Sequence, residues 1–215
     1  MKNGLCLLAL IAASRLSLFA QGAPAFELYG NYSYIQFNPT VNGLQSKALN
    51  GGGGGFQFNM GKYFGLKGDF QGYGSATWTT IITAPLPTPI GIIPVGTYRN
   101  DANMFTYLFG PVVKVPMKRV VPFGELLFGG SQTNGYANLT DAIIAGGGSI
   151  SRQSAQHPFT MAFGGGFDVV ASKHVTLRLA ELDYLLTRYT NPFTQTNNQN
   201  NFRYQGGVVF TFGGQ

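Results

Sequence analysis

The sequence predicts an all-β protein, an eight-stranded antiparallel up-and-down barrel that crosses a membrane with its strands. Three observations predict it. Short stretches alternate strictly between apolar and polar residues, the connections between them alternate long and short, and only 10% of the 215 residues are charged, against roughly 25% in ordinary soluble domains. Such a chain has little with which to cover a wet surface. Its 31 glycines, 18 phenylalanines and 11 tyrosines, against one tryptophan, fit strands in close backbone approach. No helical periodicity is expected beyond the N-terminus.

The N-terminus, MKNGLCLLALIAASRLSLFAQGAPA, has Lys2, an apolar run from Leu5 to Ala13 and small residues from Ala20 to Ala25. It reads as a secretory signal peptide over residues 1–25, with the barrel domain over 26–215. Arg15 interrupts the apolar stretch and leaves the cleavage point open between Ala20 and Ala25. The run is too short to span a bilayer as a helix. Cys6, the one cysteine, lies inside it, so the processed chain would carry no thiol, disulfide or thiolate metal site. Loss of Lys2 and Arg15 lowers the formal charge from +6 to +4, thinly spread, with no basic run of the kind nucleic acid requires. No cofactor motif is present.

Eight strands are expected by alternation: Phe26–Phe37, Gly52–Met60, Phe64–Thr77, Ala102–Val115, Arg119–Gly130, Phe159–Ala171, His174–Arg188 and Phe202–Phe212. Tight turns at Gly61–Tyr63, Pro116–Lys118 and Ser172–Lys173 alternate with long loops at Pro39–Ser46, Trp78–Asp101, Ser131–Pro158 and Tyr189–Asn201. Antiparallel neighbours joined this way place every long loop at one end, as in outer-membrane barrels.

The glycine run Gly51–Gly55 tests the main rival reading. A phosphate-binding loop must open an amphipathic helix. Here Phe56, Gln57, Phe58, Asn59 and Met60 alternate instead, so the glycines read as the loop-proximal start of the second strand, where missing side chains permit tight curvature. Gly164–Gly166 repeats the device.

The faces divide in the sense a membrane demands. In the sixth strand Phe159, Met161, Phe163, Phe167 and Val169 share one parity, and Thr160, Ala162, Gly164, Gly166 and Asp168 the other. The last strand divides likewise, with Phe202, Tyr204, Phe210 and Phe212 opposite Arg203, Gln205 and Thr211. A polar face so poor in charge and rich in glycine suits a narrow lumen. The seventh strand changes parity between Leu179 and Leu182, which a β-bulge near Ala180 would reconcile. Seven charged residues are then expected in the lumen, Lys67, Arg178 and Arg203 meeting Asp69, Glu125, Glu181 and Asp183. Left unpaired in so dry an interior each would be costly.

The opening FELYGNYSY, the FGP at Phe109–Pro111, the VPFGE at Val121–Glu125, the RLAELDYLLTR around Tyr184 and the C-terminal strand together resemble the small eight-stranded outer-membrane β-barrels of the OmpA/OmpX-like group. The resemblance spans Phe26 to Phe212. Gln205, Gly207, Phe210 and Phe212 match the signal by which such barrels are read by the outer-membrane assembly machinery, although Gly213, Gly214 and Gln215 follow the final aromatic. The resemblance implies a monomer in a Gram-negative outer membrane, in contact with its lipids and lipopolysaccharide, and no peptidoglycan-binding domain follows the barrel.

The function expected is non-catalytic, structural or surface-interacting through the long loops, because eight strands leave a lumen only wide enough for side chains. The apolar loop from Trp78 to Asp101 suits contact with acyl chains, another protein or a host surface; equally, Ile81, Ile82 and Ile90–Ile93 would cover one another or extend a strand pair. Its partner is not specified. A lipid A-modifying enzyme is the first alternative, with His157 near Ser151 and Ser154 at the outer rim and His174 at the tight-turn end, but without an acidic orienting residue beside His157. A soluble lipocalin-like ligand carrier is the second, since it shares the loop pattern.

Overall fold

The computed structural model describes residues 25–38, 46–193 and 199–213. Apart from Ala25, the signal peptide expected over residues 1–25 lies outside the described residues, as do Cys6, Gly214 and Gln215. Eight strands close into one antiparallel barrel: β1 (Phe26–Phe37), β2 (Lys47–Asn59), β3 (Phe64–Ile82), β6 (Gly96–Lys114), β7 (Val120–Thr133), β9 (Phe159–Val170), β10 (Val175–Thr187) and β11 (Gln199–Phe212). Each strand pairs with the next along the chain, and β1 against β11 completes the ring, with Phe26 opposite Phe212. Closure leaves no unpaired sheet edge, the condition for crossing hydrocarbon with strands.

The radial order is the reverse of a soluble barrel's. Phe163, Phe210, Phe212, Leu126 and Leu182 project outward and are exposed, while Lys67, Asp69, Arg178, Glu181 and Arg203 are buried inside. An exterior of exposed phenylalanine and leucine around a charged interior is stable only where hydrocarbon surrounds it. The lipocalin-like alternative requires the opposite order and is excluded.

The bulge falls where the parity change requires it. Between Arg178 and Glu181 the register of β10 slips against β11, and between Arg178 and Ala180 it slips against β9, so Arg178, Glu181 and Asp183 all point inward.

Several boundaries differ from expectation. The glycines are not the start of β2, which begins at Lys47; they sit in its middle, paired with β1 and β3. A Cβ on Gly53 would lie 2.0 Å from the Phe70 carbonyl oxygen and 2.6 Å from Gln71 Oε1, so this turn of the wall admits only glycine. Of the two readings of Trp78–Asp101, the extended strand pair is the one found, and the segment is mostly ordered strand. β3 and β6 run on as a pair to Ile82 and Gly96, and the tip carries β4 (Leu86–Thr88) and β5 (Gly91–Ile93). Burial decides this outcome, since Trp78, Ile93 and Tyr98 all find cover.

The expected absence of helix is also corrected. Gly135–Ala145 within the third long loop, Ser131–Pro158, forms α1, followed by β8 (Ser149–Ile150), which pairs with β5 to make a three-stranded sheet above the barrel. Tyr136, Leu139, Thr140 and Ile143 are the buried residues of α1, a helical spacing inside a segment otherwise rich in turn formers. Leu139 and Ile143 pack with Ile93 and Tyr98, joining helix and sheet into one cap.

Candidate functional site: a charged lumen beneath a folded cap

The barrel interior is layered. At the tight-turn end Glu27, which shares the inward parity of β1 with Tyr29, receives Lys114 Nζ at 2.6 Å on one oxygen and 2.8 Å on the other, and Asn59 Nδ2 donates to it at 2.7 Å. At mid-barrel Lys67 Nζ donates to Glu125 Oε2 at 2.8 Å and to Glu181 Oε2 at 2.9 Å. Arg178 donates to Glu181 Oε2 at 2.8 Å through Nη1 and grips Asp168 with Nε and Nη2, at 2.9 and 3.1 Å. Arg203 donates through Nη1 to Asp69 Oδ2 at 2.6 Å and through Nε to Asp183 Oδ2 at 2.9 Å. The seven charged residues named from the sequence thus stand in one contact network, all on inward positions of β3, β7, β10 and β11.

Tyr29 and Phe123 complete the layer and were not foreseen. Tyr29 Oη donates to Asp69 Oδ1 at 2.9 Å and to the Gly68 carbonyl at 3.0 Å. The Arg178 guanidinium lies 4.5 Å from the Phe123 ring centre and 5.1 Å from that of Tyr29, within cation–π range. Asp168 was also missing from the expected network. It had been read on the polar face of β9, and register was the missing signal: Arg178 stands directly opposite it across β9 and β10.

Above the charges the lumen turns apolar. Ile35, Leu49, Met104, Leu108, Leu127 and Leu185 are buried together and close the barrel toward the cap. Tyr189 Oη donates to Ser131 Oγ at 2.8 Å, and burial pushes this hydroxyl's pKa above the ordinary tyrosine value, the serine hydrogen bond opposing. The interior therefore holds side chains from end to end.

Gln205 of the candidate assembly signal is buried inside; Gly207 lies close against β1, where a Cβ would come 2.1 Å from the Gly30 oxygen; Phe210 and Phe212 face outward. His157 is exposed at the loop end, and among the described residues no hydrogen bond links it to Ser151, Ser154 or a carboxylate. His174 is exposed at the opposite end, its Nδ1 3.3 Å from the Thr211 oxygen.

No family model matches the chain, and no curated protein matches its sequence. Its structure is similar to that of Neisserial surface protein A, NspA, with a TM-score of 0.57 at 10% identity over 89% of this chain and 100% of that one. It is also similar to the outer membrane protein OprG from Pseudomonas aeruginosa, with a TM-score of 0.55 at 13% identity over 90% of this chain and 98% of that one. At such identities the likeness is one of fold, that of the small outer-membrane β-barrels.

Proposed function

We propose that the protein is a non-catalytic integral outer-membrane barrel that acts as a rigid post for a surface-interaction cap. The observation that carries this reading is the cap itself. Within the long connections β4, β5, β8 and α1 form a packed unit, and this unit leaves Ile81, Leu86, Ile92 and Val95 exposed, with Ile81 68% accessible. Exposed apolar side chains on an ordered frame are characteristic of contact surfaces. The side-chain-filled lumen favours this role over a diffusion pore. Outer-membrane lipid and lipopolysaccharide surround the barrel in this reading, the C-terminal strand addresses it to the assembly machinery, and it acts as a monomer.

The test has two stages. The protein should fractionate with the outer membrane and show a heat-dependent shift in gel mobility. Binding of purified barrel to lipopolysaccharide, to extracellular matrix proteins and to cells should then fall at least tenfold when Ile81, Leu86, Ile92 and Val95 are all changed to Ser. Recovery in the soluble periplasm, or undiminished binding by the folded quadruple variant, would refute the role.

A further inference from the structure

The mid-barrel network is not electrically balanced. Five carboxylates, Asp69, Glu125, Asp168, Glu181 and Asp183, face three cations, Lys67, Arg178 and Arg203, all of them buried. With every carboxylate ionised the layer carries two negative charges in excess. The Glu27–Lys114 pair below it is self-neutral and relieves none of this. An excess of that size inside a barrel wrapped in hydrocarbon is met either by a counter-ion or by protonation of carboxylates.

The ion pairs show where it would sit. Lys67 takes Oε2 of Glu125 and Oε2 of Glu181, and Arg203 takes Oδ2 of Asp183. Two of the opposite oxygens are left over. Glu125 Oε1 and Asp183 Oδ1 are buried without a hydrogen-bond partner among the described residues. Glu181 Oε1 is 3.8 Å from the nearest guanidinium nitrogen and accepts instead from the Gln205 side-chain amide at 3.3 Å. These same three residues bring ligand oxygens to within 4.8 Å of one another.

We propose that Glu125, Glu181 and Asp183 hold one divalent cation of the calcium type inside the barrel. A hard oxygen-only set suits calcium or magnesium, and the spacing separates them. Oxygens on opposite sides of calcium stand about 4.6 to 5.2 Å apart, whereas magnesium allows only about 4.0 to 4.2 Å. The three ligand oxygens lie within 4.8 Å of one another, a span that calcium's longer bonds can bridge and magnesium's cannot unless the carboxylates move. One such ion also cancels the excess charge. At the tight-turn end a cavity of about 210 Å³, lined by Glu27, Lys114, Asp168, Thr176 and Thr211, reaches the network at Asp168, the partner of Arg178.

The experiment uses the protein refolded in detergent free of lipopolysaccharide, stripped with EDTA, and dialysed against radioactive calcium. One calcium per folded barrel is expected, with a urea-unfolding midpoint that rises with calcium concentration and responds at least tenfold more weakly to magnesium. Glu125→Gln and Asp183→Asn should each lose the ion, while Asp141→Asn, which alters an exposed surface pair with Arg152, should keep it. Gel mobility before and after heating reports which variants fold. Absence of bound calcium on the folded wild-type barrel would overturn the proposal, since protons would then meet the excess charge. Retention by either folded lumen variant, or loss in Asp141→Asn, would overturn it by placing the ion on the surface.

Discussion

Replacing Arg203 by Met isolates the energetic role of the buried charges. The guanidinium is fully buried and donates to Asp69 Oδ2 at 2.6 Å and to Asp183 Oδ2 at 2.9 Å, with Glu181 Oε1 3.8 Å away. Methionine fills similar volume but leaves both carboxylates without their cation. Stranding buried charge in this way costs about 3–5 kcal/mol. Tyr29 and Gln71, which donate to Asp69 Oδ1 at 2.9 and 2.8 Å, hold part of that loss, so the lower half of the range is expected. Adding Asp183→Asn removes one of the stranded charges and should restore about 1–3 kcal/mol, the coupling expected of residues in contact. The assay is urea unfolding in phospholipid vesicles followed by fluorescence of Trp78, which is buried at the barrel mouth and is the only tryptophan. An Arg203→Met barrel within about 0.5 kcal/mol of wild type, or an Asp183→Asn cost that merely adds to it, would refute the reasoning, because it would mean the interior is hydrated and screened.

Gly53→Ala should destabilise the barrel by about 2 kcal/mol or prevent folding, because its Cβ meets the Phe70 carbonyl at 2.0 Å, whereas Gly72→Ala, whose nearest contact is at 3.9 Å, should stay within about 0.5 kcal/mol in the same urea assay. Phe163→Arg, on the outward face near the middle of β9, should cost about 2–4 kcal/mol in vesicles, and Phe212→Arg at the strand end about 0–1 kcal/mol; equal costs would argue against a bilayer around the wall. Replacing both Phe210 and Phe212 by Ser should lower the assembled fraction in cells severalfold, while spontaneous refolding of the purified chain in detergent changes little; parallel losses in both would assign these residues to stability rather than to an assembly signal. His157→Ala should leave lipid A mass spectra identical to those of wild type, and disappearance of a modification would revive the enzymatic alternative.

Residues that act through period and parity are legible in the sequence. Alternation placed Phe163 and Phe210 outside and Arg203 inside because a strand has only two faces, and a lipid exterior makes the choice between them unambiguous. The parity break in β10 likewise announced its bulge, since Leu177 and Leu182 both face outward only if one residue is left out of the pairing. Inward charge on β3, β7, β10 and β11 followed from the same rule.

What pairs with what depended on register, shear and the depth of each side chain. Asp168 meets Arg178 because the register that the tight turn sets between β9 and β10 places them opposite each other, and Tyr29 reaches Asp69 because the Gly55 opposite it on β2 leaves room for the phenol. The cap is the clearest case. Trp78–Asp101 and Ser131–Pro158 each look like exposed loop when read alone, and each buries its apolar residues only against the other, Ile93 and Tyr98 against Leu139 and Ile143. By itself, then, the sequence determined the number of barrel strands, their inward and outward faces and the membrane around them, because these depend on local period and on the solvent each face meets. Only the tertiary structure decided the ion-pair partners, the oxygens left over and the folded cap, because these arise between segments far apart in the chain, whose proximity local pattern does not encode.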